Sequence, residues 1–255
     1  MSKIIAIANQ KGGVGKTTTA VNLSACLAIK GKKVLVIDID PQGNTTSGLG
    51  IDKAKFETSI YDVIINGVAI EDTLLNTMIN NLVISPSNIQ LAGAEVELVA
   101  VISRETRLKY ALAPIKDNYD FIIIDCPPSL GLITVNALTA ADTILVPIQC
   151  EYYALEGLSQ LMNTVKIVQK HLNPSLNVEG VVLTMFDART NLSIQVVDEV
   201  KKYFGNKVYR TIIPRNVRLS EAPSFGLPII KYDPKSKGAE CYMELADEVI
   251  EYSEE

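Results

Sequence analysis

Residues 11–18 read Lys-Gly-Gly-Val-Gly-Lys-Thr-Thr (KGGVGKTT), separated by Gln10 alone from the largely apolar run KIIAIAN at 3–9. An ordinary phosphate-binding loop follows G-x-x-x-x-G-K-[ST], which asks for glycine where this chain has Gln10. The rest of the chemistry is intact. Gly12, Gly13 and Gly15, with Val14 among them, leave the backbone open around a phosphate. Lys16 has the length to reach β and γ phosphates, and the Thr17 hydroxyl, with Thr18 beside it, can ligate Mg²⁺. Strand, glycine-rich turn and a helix opening near Thr17 form the context that points backbone N–H groups and a helix N-terminus at an anion. Lys11 is an extra cation that the ordinary pattern does not explain.

Working outward, short apolar runs alternate with helical patterns. KIIAIAN, KVLVID, NLVIS, DFIIID, TILVPI, VEGVVLT and KVYRTII read as strands. Several are unbroken Val/Ile/Leu runs, which suit parallel strands covered on both faces. Residues 16–30, 157–170, 193–204 and 237–252 carry helical spacing, with Leu158, Leu161, Met162, Val165 and Val168 on one face of the second. The expectation is one α/β domain over 1–255, a doubly wound, mostly parallel central sheet of about seven or eight strands flanked by helices. Residues 42–81 are the least regular stretch, expected as an excursion at the ligand-bearing edge.

Three aspartates end strands near this loop. KVLVIDIDPQGN places Asp38 and Asp40 at the lip of one strand, and YDFIIIDCPPS places Asp125 at the end of another. Asp125 is positioned to bind Mg²⁺ across from Thr17, and Asp38 to arrange the metal or its waters. Asp40, in the polar turn, is the candidate for orienting or deprotonating an attacking water. The segment PPSLG at 127–131 reads as a turn near the γ-phosphate position that responds to loss of that phosphate.

Composition narrows the alternatives. With 255 residues, 47% hydrophobic and 21% charged, the chain suits one substantial core. No stretch is apolar enough to span a bilayer and the start lacks a cleavable leader pattern, so a cytoplasmic location is expected. Cys26, Cys126, Cys150 and Cys241 lack metal-ligand spacing and are expected to be buried, and His171 to sit at a helix end. Net charge is −5, yet residues 185–240 hold ten Lys/Arg against six Asp/Glu. One face can therefore meet a polyanion while the remainder repels it.

The combination of KGGVGKTT, DIDPQGN (38–44), IIIDCPPSLG (122–131), QCEYYALEGL (149–158), LTMFDART (183–190) and IPRNVRLSEAPSFGLPI (213–229) resembles the deviant-Walker-A ATPases of the ParA/MinD superfamily, and within it the chromosome-partition ParA branch. The likeness extends over essentially the whole chain. It implies an ATPase with Mg²⁺ in which Lys11 reaches the nucleotide of a second subunit, so that two copies sandwich two ATP molecules. Lys11, Lys16 and Asp40 then form the catalytic set, and Asp125 the Walker B residue. Adenine is expected near Met185, Phe186, Pro214 and Asn216. Arg189 and Arg218 match the family's contacts to duplex DNA, with Lys201, Lys202, Arg215 and Lys235 as possible extensions of that surface. The resemblance further implies a ParB-like partner, association with the nucleoid, and a DnaA-like replication initiator as another contact. Membrane attachment of the MinD kind is disfavoured by the acidic C-terminal segment, which lacks a basic amphipathic anchor. A metabolic or cofactor-maturation ATPase stays as the alternative of a different class.

Overall fold

A computed structural model describes residues 2–151 and 157–254. Residues 152–156, within the expected QCEYYALEGL motif, lie outside the described residues. The strands are β1 Lys3–Ile7, β2 Val34–Asp38, β3 Leu75–Asn76, β4 Leu82–Ser85, β5 Phe121–Asp125, β6 Thr143–Gln149, β7 Asn177–Phe186 and β8 Val208–Pro214. The helices are α1 Lys16–Ile29, α2 Asn44–Gly48, α3 Leu91–Glu97, α4 Arg107–Leu112, α5 Leu132–Ala140, α6 Leu158–His171, α7 Asn191–Phe204, α8 Val217–Glu221, α9 Ile229–Tyr232 and α10 Lys237–Glu254.

All eight strands form one sheet in the order β3-β4-β2-β5-β1-β6-β7-β8, parallel except for β3 against β4. The expected doubly wound sheet is present. Its seven longer strands are the seven apolar runs, and the eighth is a two-residue edge inside the irregular 42–81 excursion. That excursion also holds α2, a π-helical turn at Asp62–Asn66 and a 3₁₀ turn at Ile70–Thr73.

The unbroken apolar runs divide their side chains between two layers, as the pleat requires. Ile4, Ala6, Leu35, Ile37, Ile122, Ile124, Ile144 and Val146 face one core with α3 to α7. Ile5, Ile7, Val34, Val36, Phe121, Ile123 and Leu145 face the other, with α1 and α10. Helix α1 is covered nearly all round, burying Thr19, Asn22 and Ser24 along with its apolar residues. Its Thr19 hydroxyl hydrogen-bonds the buried Tyr242 hydroxyl of α10 at 3.2 Å, so the helix behind the glycine-rich loop is pinned from both sides. The four cysteines are buried and free, and burial pushes the Cys26 and Cys150 thiols up to about 12. His171 is the last residue of α6.

Chain order places the site. The chain leaves β1, crosses to β2, and returns to insert β5 between them, while β6 continues on the other side. Parallel register sets Ile7 beside Asp125 and Asp38 beside Asp125. Three strand ends thus open into a single crevice at the carboxyl edge of the sheet, where ligands bind in open α/β folds.

Candidate active site

The loop from Asn9 to Gly15 is shaped by its own polar groups. The Asn9 side-chain amide donates to the Pro147 carbonyl at 2.7 Å, and its Oδ1 accepts from the Lys11 N–H at 3.0 Å. Gly13 (φ +74°) and Gly15 (φ +91°) take left-handed backbone that a side chain would strain. An added Cβ at Gly12 or Gly13 would meet nothing within 4 Å, so the loop borders open space. Gly15 caps α1 without a side-chain hydrogen bond, which leaves the N-terminal N–H groups of a 14-residue helix facing the crevice.

Lys16 is buried, and its ammonium donates to the Lys11 carbonyl at 3.2 Å. Burial lowers its pKa, opposed by the charges of Asp125 and Asp40. The Lys11 side chain has no hydrogen bond or ion pair to a described residue, while its backbone holds both Asn9 and Lys16.

Beneath the loop, Asp125 Oδ2 accepts from the Thr17 hydroxyl at 2.9 Å and the Thr45 hydroxyl at 2.7 Å. Its Oδ1 is buried with no partner. An orphaned carboxylate oxygen beside a threonine hydroxyl is a hard oxygen donor set of the kind a small divalent cation takes. Asp38 is differently employed. Its Oδ2 accepts from the Thr46 N–H at 2.8 Å and hydroxyl at 2.7 Å, and its Oδ1 from the Asp40 N–H at 3.2 Å. Those bonds organise the 38–46 turn, and the Ser87 N–H extends the chain by donating to the Thr46 hydroxyl. Burial, foremost, raises the pKa of both Asp38 and Asp125; the charge of Asp38, and then that of Asp40, adds to the rise at Asp125, while Asp40 adds to the rise at Asp38. Asp40 lies at the crevice with Oδ1 engaged by the Gln42 N–H at 3.0 Å.

Beside the loop, a cavity of about 340 Å³ is lined by Gly15, Thr18, Met185, Pro214, Asn216 and Tyr242 among others. Three of the four residues expected around a base are therefore on its wall. Phe186 is placed elsewhere, packed against the core on the opposite face. The cause is local. Val181 and Leu183 face that opposite core while Val182 faces the cavity side, so alternation would send Phe186 toward the cavity. Thr184 keeps that period and lines the cavity, but Met185 adopts φ +52°, a left-handed conformation that brings Met185 itself to the cavity and turns Phe186 away. Tyr242, Leu219 and Ser220 complete the wall and carry no local signal of that role.

Arg189 and Arg218 emerge just past the carboxyl ends of neighbouring strands, β7 and β8, where the Arg215 N–H also bonds the Phe186 carbonyl at 2.9 Å. Each is ion-paired: Arg189 Nε and Nη2 grip both oxygens of Asp187, Arg218 contacts Glu221 and Asp233, and Arg215 contacts Glu151. Lys201 and Lys202 lie in the last turn of α7. No group of three or more His, Cys, Asp or Glu suited to a metal occurs among the described residues, and no described helix is long and apolar enough to cross a membrane.

Strand, left-handed glycines, buried lysine and a threonine bonded to a strand-end aspartate define a P-loop nucleotide-binding protein. Residues 2–178 match the model of the AAA domain family. The chain is 68% identical over 249 residues to the sporulation initiation inhibitor protein Soj of Bacillus subtilis, covering 98% of each, and 56% identical to the chromosome partitioning protein ParA of Myxococcus xanthus, covering 98% of this chain and 88% of that one. Among solved structures, cobyrinic acid a,c-diamide synthase from Mycobacterium smegmatis with bound ADP and magnesium superposes with a TM-score of 0.88 at 39% identity, covering 100% of this chain and 96% of that one. The chain belongs to the ParA/Soj family of P-loop partition ATPases.

Proposed function

We propose that the protein hydrolyses MgATP as a dimerising switch, binds duplex DNA without sequence preference in its ATP-bound dimer, and serves chromosome partition with a ParB-like partner. The observation that carries the nucleotide half is the Thr17–Asp125 hydrogen bond beneath Lys16, with Asp125 Oδ1 unpartnered. Thr17 and Asp125 are the residues to hold Mg²⁺, directly or through water, and Asp38 keeps the adjoining turn in place. When bound, the ion offsets charge on the β and γ phosphates.

The protein's own groups do the rest. Left-handed glycines and the start of α1 surround the phosphates, and Lys16 leaves the Lys11 carbonyl to meet them. Met185, Pro214 and Asn216 border the base cavity; Asn216 Oδ1 caps α8 through the Arg218 N–H, leaving its amide NH₂ to read the base edge. Asp40 Oδ1 is held by Gln42, so Oδ2 is the atom that orients the attacking water and receives its proton. Lys11 adds its charge to the γ-phosphate of the opposite subunit, which makes hydrolysis depend on the dimer. Arg189 and Arg218 meet DNA phosphates, and dimerisation doubles their number. Action in the cytoplasm at the nucleoid, and an additional contact with a DnaA-like initiator, follow from the same reading.

The test is binding to unrelated duplexes with ATP, ADP or no nucleotide, alongside molecular mass and a salt series. ATP-dependent, dimer-linked and salt-sensitive binding to every duplex, weakened by R189A and R218A, is the expected result. A verified ATP dimer that ignores DNA sinks the DNA half. A second reading, ATP-dependent amide formation, is favoured by the likeness to the M. smegmatis structure. The 68% identity to Soj weighs more heavily, and ATP turnover that requires a small carboxylate substrate would reverse that order.

A further inference from the structure

The three arginines at the carboxyl edge of β7 and β8 do not present free positive charge. Arg189 is held by Asp187, Arg215 by Glu151, and Arg218 by both Glu221 and Asp233, so three cations face four carboxylates. With those pairs closed the three arginines themselves add no net positive charge to attract a polyanion. The geometry of Arg189 shows what is being occupied. Its side chain is 86% exposed, and the Nε and Nη2 edge that suits bidentate phosphate binding is spent on Asp187 at 2.8 and 2.6 Å. Glu221 is also braced by the Tyr232 hydroxyl at 3.1 Å, which holds it in reach of Arg218.

We propose that Asp187, Glu151, Glu221 and Asp233 are resident competitors for the DNA phosphates, lowering the affinity of each subunit so that firm binding needs the doubled contacts of a dimer. This rests on the DNA reading above and adds its regulation. Each arginine exchanges a carboxylate for a phosphate on binding. An exposed ion pair is worth up to a factor of about five in affinity, so a pair that is weak in one subunit compounds across two. A monomer then dissociates readily, while a dimer, which loses the factor twice, stays bound through its doubled contacts. The proximity of the base cavity is consistent with control by nucleotide, because Arg215, Asn216 and Ser220 line it within the same segment as Arg218 and Glu221.

The deciding comparison is Asp187→Asn against Asp198→Asn, an equal charge change at an exposed α7 residue. Duplex affinity is measured for both, and for R189A and wild type, with ATP, ADP and no nucleotide at fixed salt, with dimer fraction followed in parallel. Expected is a gain of at least about threefold for D187N over D198N without ATP, compounding to a larger gain in the ATP dimer, at unchanged dimer fraction. Equal affinities for D187N and D198N overturn the proposal, as does weaker binding by D187N, which would make Asp187 a brace that presents Arg189. R189A that binds duplex as wild type does overturns the proposal as well, whereas a wild-type ATP dimer that ignores duplex means the DNA reading itself has failed, a separate result.

Discussion

Gly131 and Glu95 make a sharply testable pair, because the loop they anchor begins at Asp125. Glu95 on α3 accepts from the Leu132 and Ile133 N–H groups at 2.9 and 3.3 Å, capping α5 from a distant part of the chain. Gly131 has φ −80° and ψ −168°, a backbone any residue adopts, so its replacement by alanine carries no dihedral strain. What an added Cβ meets is the Glu95 carboxylate, inside van der Waals contact of both oxygens. Gly131→Ala therefore acts by pushing Glu95 off the helix start. A lost N-cap costs about 1 kcal/mol, and bonds to a charged acceptor raise that, discounted because Glu95 is half-exposed. A loss of about 1–2 kcal/mol is expected for G131A and for E95A alike, about 3–6 °C in melting temperature at this size. The double variant should cost scarcely more than either single change. Urea unfolding of all four proteins reads the cycle. Additive losses, with G131A costing as much in the E95A background as in wild type, refute the reasoning.

Three further outcomes are expected. Glu248 is buried and accepts from the Arg210 and Thr211 N–H groups at 2.8 Å, shielding the edge strand β8, so Glu248→Ala should cost about 2–4 kcal/mol in urea unfolding, with Glu248→Gln recovering part. Asp38 and Asp125 both have raised pKa values, so the native state holds more protons than the unfolded chain and nucleotide-free stability should fall as pH rises from the ordinary carboxylate range through neutrality. Melting scans of wild type and Asp125→Asn across that window test this: the variant should show a flatter profile, and equal slopes count against the assignment. Asp40→Ala should keep ATP binding while turnover falls by about 100-fold or more, whereas Lys16→Ala should lose ATP binding itself; nucleotide titration beside phosphate release separates the two.

The relation between chain and fold is uneven for physical reasons. Seven strands were legible because a parallel sheet covered on both faces needs unbroken runs such as FIIID, and such runs have few other uses. The two-residue β3 left no such trace, since it is held by pairing with β4 alone. Helices α3, α4 and α5 leave no clear periodic trace, being short and, in α5, buried on the sides that carry its polar residues Thr134, Asn136 and Thr139 as well as on its apolar ones. The glycine-rich loop and the strand-end aspartates were local patterns, while Thr45 and Glu95 join the site across 80 and 37 residues of sequence. Phe186 was placed beside the base by the family resemblance alone, and in space it packs on the opposite core where Met185 turns left-handed.

By itself the sequence determined the sheet, the phosphate loop and the acids at the strand ends, because each depends on neighbours a few residues apart. Only the tertiary structure decided that Asp125 keeps one oxygen free while Asp38 keeps its oxygens bonded within a turn. It also decided that the arginines at the sheet edge are already engaged by carboxylates. Hydrogen bonds and ion pairs form wherever folding brings complementary groups within about 3 Å, and no spacing along the chain records which groups those will be.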